Sequence, residues 1–228
     1  MIADNLRDVR ETIAAACRRC KRNPDEVTLV AVSKTFGVER IREAVEAGQL
    51  DFGENYVQEL LPKREQLPNR EMRWHFIGHL QSNKAKFIAP FVHLIHSVDD
   101  FDLAKELNKR AANLGRVVHA LIEVHTTDES TKFGVLPERT LALVKSVAAL
   151  PNVRIRGLMT MGPLSGGTET ARWSYRMLRE LRDEVAAAGI EGAAMEHLSM
   201  GMSNDYEVAI EEGATIVRIG TSVFGERS

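Results

Sequence analysis

The sequence predicts a (β/α)8 barrel preceded by one extra helix. Three observations lead there: short apolar runs recur eight times, helical segments separate them, and no connection is long or biased enough to divide domains. The longest obvious connections, GPLSGGTET (162–170) and HTTDESTKFG (125–134), hold only a few Gly, Ser or Thr. Residues 1–228 are therefore read as one domain, with tight loops for so short a barrel. An open doubly wound sheet needs only six of these strands, but no strand is followed by G-x-G-x-x-G.

In order, an amphipathic helix over 4–21 comes first. Its last turn and exit carry Arg18, Arg19, Lys21 and Arg22, which suit the negative end of a helix dipole. Cys17 and Cys20 form C-x-x-C late in that helix, with no second pair, a placement that favours neither redox chemistry nor zinc. VTLVAVSK (27–34) is the first strand, and a helix over 38–48 follows. DFGEN (51–55) and a helix over 55–66, then RWHFIGH (73–79) and a helix over 82–89, repeat the unit. VHLIHSV (92–98) leads into a helix over 99–114, and VVHALIEVH (117–125) into one over 137–149. VRIRGLMTM (153–161) precedes the longest helix, 168–188, whose Trp173, Met177, Leu181 and Val185 lie four apart as one apolar stripe. EHLSMGM (196–202), a helix over 204–212 and ATIVRIG (214–220) complete the set. Gly48, Gly115, Gly189 and Gly213 each follow a helical run, where a C′ glycine ends a helix.

Composition narrows the function. Hydrophobic residues make up 44% and charged residues 27%, enough apolar matter for a real core. A net charge of -2 offers no footprint for nucleic acid or an anionic membrane, and no run of apolar residues suggests a span or signal peptide. Two cysteines in all fit a reducing compartment, so a cytoplasmic location is expected.

Chemistry in such barrels sits where strands end. Reading those ends gives Lys34, Asn55, His79, Ser97, Glu123 with His125, Met161, Ser199 and Arg218, a markedly polar set. Period-two alternation puts Val30, Val32 and Lys34 on one face and turns Ile216 and Arg218 into the barrel. An inward arginine must find an anion or an acceptor, because a lone buried charge is too costly. Gly220 and Thr221 close the eighth strand, where open backbone N–H groups and a hydroxyl suit a phosphate. After the seventh strand, LSMGMSND adds Ser199 and the unobstructed backbone of Gly201, with Ser203 expected as a helix N-cap. A phosphate grip facing a strand-end lysine suggests a phosphorylated carbonyl compound, since a partly desolvated amine is a nucleophile for imines. Two candidates remain on this reading: a Schiff-base aldolase, or a protein holding pyridoxal phosphate. Spacing does not separate them.

Four blocks carry a resemblance: VAVSKTFGVERIREAVEAGQLDFGENYVQE, WHFIGHLQSNKAK, IRGLMTM and LSMGMSNDYEVAIEEGATIVRIGTSVFGER. In this order, over nearly the whole chain, they resemble the pyridoxal phosphate homeostasis protein family. The resemblance implies a barrel similar to the N-terminal domain of alanine racemase, with pyridoxal 5'-phosphate (PLP) as a Schiff base and no established catalysis. It also implies a role in vitamin B6 homeostasis and in amino and keto acid balance. Carried over by motif, Lys34 of AVSK bears the Schiff base, Asn55 lies beside the cofactor and Arg218 faces the pyridine nitrogen. Ser199, Gly220 and Thr221 hold the phosphate, and Met200 and Gly201 add backbone contacts. Phe36 is given no function. A guanidinium at the ring nitrogen discourages its protonation and makes the cofactor a weak electron sink. The racemase-like enzymes take a second base from a C-terminal β-domain, for which the residues after Gly220 leave no room, and Thr160 and Met161 stand where their pattern has Thr-His. The expected partners are PLP and PLP-dependent apo-enzymes, without nucleic acid or membrane, for a monomeric protein that is not an enzyme.

Four further features have a plainer reading beside a functional one. His75 and His79 are four apart, but on a strand, so a polar barrel top is preferred to a metal site. Glu123 could act as an acid or pair with a cation. Lys132, in TKFG, matches a family block yet reads as a solvated loop lysine, and Lys84 and Lys86 read as solvated helix charges.

Overall fold

Strands β1 (Thr28–Val32), β2 (Asp51–Glu54), β3 (Arg73–Phe76), β4 (Leu94–Val98), β5 (Val118–Glu123), β6 (Val153–Met159), β7 (Ala193–Ser199) and β8 (Ile216–Ile219) form a closed parallel barrel in chain order. The computed structural model describes residues 1–127, 133–163 and 165–226. Closure comes from β1 pairing with β8 as well as β2, with Val30 in register with Arg218. The doubly wound alternative is excluded by that closure.

Helices α1 (Ile2–Arg19), α2 (Val38–Glu46), α3 (Val57–Gln66), α4 (Ala85–Ile88), α5 (Phe101–Asn113), α6 (Pro137–Ala148), α7 (Gly167–Ala187), α8 (Tyr206–Glu211) and α9 (Thr221–Phe224) accompany the strands. The ninth, one turn long, was not expected, because four residues carry no periodic signal. Alternation along each strand builds two cores. Phe52, Phe76, Ile95, Ile122, Leu158, Val217 and Ile219 face the helices, while Val30, Leu94, Leu121, Met159 and Ile216 pack inside the barrel. Much of the rest of the interior is polar: His75, His96, Ser199 and Arg218 are all buried. His75 thus lies within the barrel, hydrogen-bonded to Asp51 at the start of β2, rather than at the top where it was expected.

Three expectations are corrected. Trp173 is 53% exposed, and α7 instead buries Ala171, Ser174, Tyr175, Leu178, Leu181 and Val185. Residues four apart drift by about 40° per step around a helix of 3.6 residues per turn, so a strict four-residue stripe leaves the buried face. Ser203 caps nothing: α8 begins at Tyr206 after Asp205. Arg19 and Arg22 do more than meet a dipole. Arg19 pairs with Glu207 and Glu211, and Arg22 donates to the Ile210 carbonyl, tying α1 to α8. From the other side Arg172, Arg176 and Arg179 of α7 converge on the buried Glu212. Helix α8 and its C-terminal end are thereby anchored from two helices.

Gly157 marks an irregularity in the pairing of β6 with both neighbours. Its φ is +150°, and a Cβ there would overlap the His197 carbonyl. Gly157→Ala is expected to lose about 3 kcal/mol or more of unfolding free energy, read by urea denaturation, because backbone must move to admit the methyl.

Candidate functional site

The turn after β1 holds the lysine in place. Thr35 has φ +69°, a left-handed conformation costly for a β-branched residue, and its N–H donates to Glu59 Oε2 at 2.8 Å. Lys63 Nζ donates to the Ser33 carbonyl at 2.9 Å, to Glu54 Oε1 at 2.7 Å and to Glu59 Oε2 at 3.1 Å. The Ser33 hydroxyl donates to the same Glu54 oxygen at 2.7 Å. Burial pushes the Glu54 carboxyl up, against the pull of Lys63. Burial also opposes the Glu59 carboxylate, but the Thr35 N–H, Lys63 and Lys34 together hold it below its usual range. Two side chains of α3 thus brace the two residues that flank Lys34.

Lys34 lines a cavity of about 600 Å³ at the barrel mouth with Asn55, Arg218, Gly220 and Thr221. Five of the eight predicted site residues therefore meet around one space. Asn55 Oδ1 is buried without a hydrogen-bond partner among the described residues. The Asn55 backbone is fixed by Gly78, whose missing side chain leaves room for the Asn55 carbonyl and Cα. Arg218, 2% exposed, donates through Nη1 to Ser199 Oγ at 2.6 Å and through Nη2 to the Thr160 carbonyl at 2.9 Å. Burial lowers its pKa, with Tyr175, Glu123 and Asp205 opposing.

Ser199, Met200 and Gly201 are not among the residues lining the cavity. The Ser199 hydroxyl lies between Arg218 and His96, and Met200 is buried with its N–H on the Ile216 carbonyl. Gly201, at φ +94°, accepts the Arg218 backbone N–H and lies so close to Ala209 and Tyr206 that a Cβ would collide with them. These three residues hold the arginine's strand and side chain. Residues missed by sequence reading include Met202, Ser203, Asn204 and Asp205 from the loop before α8, Pro163, Ser165 and Thr168 after β6, and Phe36, which stacks on Phe224 at 5.1 Å. The loop lies within the block LSMGMSND, so proximity to Gly201 was the available signal.

A second cavity of about 450 Å³ adjoins the first, sharing Asn55, Ile77 and Met161, and is lined also by Glu123, Lys84, His79 and Phe133. His79 stacks on Phe133 at 3.9 Å. Lys84 is half-buried and, like Lys86, lies beside the Phe87 ring, so only Lys86 keeps the solvated reading. Lys132 lies outside the described residues. Burial, reinforced by Asp99, pushes the Glu123 carboxyl up to about 7, with Arg218 opposing. Cys17 is buried and Cys20 half-buried, both as free thiols. Among the described residues there is no cluster of three or more His, Cys, Asp or Glu able to hold a metal, and no helix long and apolar enough to cross a membrane.

Fold and cavity together define a (β/α)8 barrel with an amine and a guanidinium meeting at its mouth. The family described as alanine racemase, N-terminal domain, matches residues 5–228. The pyridoxal phosphate homeostasis protein of Aquifex aeolicus (strain VF5) is 49% identical over 98% of this chain and 97% of its own length. That of Escherichia coli (strain K12) is 41% identical over 99% and 97%. The structure of PipY from Synechococcus elongatus PCC7942 with PLP bound is 35% identical, covers 99% of this chain and 100% of that one, and superposes with a TM-score of 0.86. The alanine racemase of Streptomyces lavendulae, 20% identical with a TM-score of 0.76 over 98% of this chain and 57% of its own, shares the fold. The chain belongs to the alanine racemase N-terminal domain family, among the pyridoxal phosphate homeostasis proteins.

The Glu123 carboxyl sets a pH dependence. Between its ordinary value of 4.5 and about 7, the folded protein keeps a proton that the unfolded chain has released. Stability contributed by this group therefore falls as pH rises through that interval, by on the order of 3 kcal/mol in full. Glu123→Gln is expected to flatten the profile between pH 5 and 8 and to be the more stable protein at pH 8, measured by urea unfolding across that range.

Proposed function

We propose that this protein holds pyridoxal 5'-phosphate in the barrel-mouth cavity and serves vitamin B6 homeostasis and amino and keto acid balance. One observation carries the reading: Lys34, Asn55, Arg218, Gly220 and Thr221 line a single cavity in a chain 35% identical, along its whole length, to a protein solved with PLP bound. The donor set fits the group. A primary amine, a buried guanidinium, hydroxyls at Thr221 and Ser203 and an Asn55 side-chain oxygen without a partner among the described residues match an aldehyde, a ring nitrogen, a phosphate and a ring hydroxyl. Bound PLP supplies an aldehyde carbon that condenses with an amine, and a pyridine ring that withdraws electrons.

Lys34 is the amine that tethers the group, presented by the turn that Glu59 and Lys63 brace. Arg218 would face the ring nitrogen, where a group that only donates would disfavour a proton on that nitrogen. Gly220 and Thr221 take the phosphate with backbone N–H groups and a hydroxyl, and Ser203 stands at the same cavity. Ser199, Met200 and Gly201 serve the site through Arg218, which they hold.

The weak electron sink that such an arginine leaves supports a holder of PLP rather than a catalyst, and PLP-dependent apo-enzymes are the proposed recipients. The second reading is weak racemase or lyase activity on small amino acids. The Glu123 carboxyl favours it, since an acid with a pKa of about 7 beside the cavity is suited to proton transfer.

Purified protein incubated with PLP is expected to gain a visible absorption band, and borohydride is expected to fix a pyridoxyl group on Lys34, located by mass spectrometry. A pyridoxyl adduct of the same yield in Lys34→Ala would overturn the assignment. Chiral chromatography over a panel of amino acids tests the second reading. Turnover that disappears in Lys34→Ala would replace the holder with an enzyme.

A further inference from the structure

The barrel interior contains an unbroken line of hydrogen bonds that ends on Arg218. Asp51 Oδ1 lies 3.0 Å from His75 Nε2, His75 Nδ1 lies 2.9 Å from His96 Nε2, and His96 Nδ1 lies 2.9 Å from Ser199 Oγ. Ser199 Oγ accepts from Arg218 Nη1 at 2.6 Å. The five residues come from five different strands, and none of the three in the middle, His75, His96 and Ser199, lines either cavity.

The proton positions follow from the two ends. Burial opposes the Asp51 carboxylate, but hydrogen bonds from Arg73 and His75 hold its pKa down at about 2, so Asp51 only accepts. His75 Nε2 therefore carries a proton. At the other end a guanidinium only donates, so Ser199 Oγ accepts from Arg218 and its own O–H is left to give. Burial, with His75 and Arg218 nearby, holds the His96 pKa well below the ordinary imidazole value, so this ring has one proton. Placed on Nε2, that proton goes to His75 Nδ1, and Nδ1 of His96 receives the Ser199 hydroxyl. Every link is then satisfied with a single proton on each ring. Placed on Nδ1, it would demand a second proton on His75 and would deprive the Ser199 hydroxyl of the His96 acceptor.

We propose that Asp51, His75, His96 and Ser199 are positioning residues for Arg218, joined in one direction so that each donates to the next from the guanidinium down to the carboxylate. Aligned this way, the hydroxyl and both imidazoles turn their negative ends toward the buried cation. With Nη1 fixed on Ser199 and Nη2 on the Thr160 carbonyl, the guanidinium has one orientation toward the cavity. The consequence for PLP rests on the function proposed above; the proton arrangement does not.

Two measurements separate them. In two-bond 1H–15N correlation spectra of the cofactor-free protein, His75 and His96 are both expected to carry their proton on Nε2. A proton on Nδ1 of His96, or two on His75, would overturn the arrangement. In the PLP-loaded protein, His96→Leu is expected to weaken PLP binding about tenfold, as for a lost hydrogen bond in a line serving a charged group, and to move the visible band. His96→Gln, which keeps one donor and one acceptor, is expected to restore most of both. Unchanged affinity and band in folded His96→Leu would overturn the positioning role. Should that variant not fold, His75→Phe, one link farther from the cavity, is read by the same criterion with an expected loss of about threefold. A wild-type protein that takes up no PLP would sink the proposed function while the spectra still decide the proton arrangement.

Discussion

A guanidinium inside a parallel barrel has to be surrounded by acceptors, and the interior of this protein is organised around that demand. Arg218 is buried among strand side chains where water cannot solvate it. Its head is met by Ser199 and the Thr160 carbonyl, and its backbone N–H by the Gly201 carbonyl. The apolar layer beneath is correspondingly thin: among the described residues Val30, Leu94, Leu121, Met159 and Ile216 pack together there, with Met161 against them. Barrels of this kind ordinarily fill the interior with stacked branched side chains. Here two histidines and a serine take part of that volume, which exchanges some hydrophobic burial for a fixed cation at the mouth.

The neighbouring wall of the cavity, after β1, is built on the same principle with paired charges. A buried carboxylate, Glu54, and a buried ammonium, Lys63, brace the turn that presents Lys34. A paired buried charge stabilises little by itself but is costly to break, so it fixes geometry more than it adds stability. Ion pairs on the far side act likewise: Glu212 gathers three arginines of α7 and helps anchor the helix whose leading loop closes the cavity.

Much of this was legible in the residues. Barrel closure followed from eight apolar runs with helices between them, and the inward direction of Arg218 and Ile216 from strict alternation in a four-residue strand. Lys34 could be placed at the rim because it shares a face with Val30 and Val32. Helix faces were less secure: Trp173 looked like core because it is large and apolar, yet it lies on the exposed side of α7. Ser203 looked like a cap because serine before acidic residues often is one, and the helix in fact starts three residues later.

By itself, then, the order of residues determined the barrel, the lysine and arginine at its mouth and the family to which they belong, because periodicity and strand ends are local properties of the chain. The tertiary structure alone decided that His75 meets His96 and that Ser199 serves the arginine rather than the cavity surface. The first contact joins residues 21 positions apart and the second residues 19 apart, and His96 meets Ser199 across 103 positions. They depend on the register and curvature of neighbouring strands, which the closing of all eight sets and no single segment encodes.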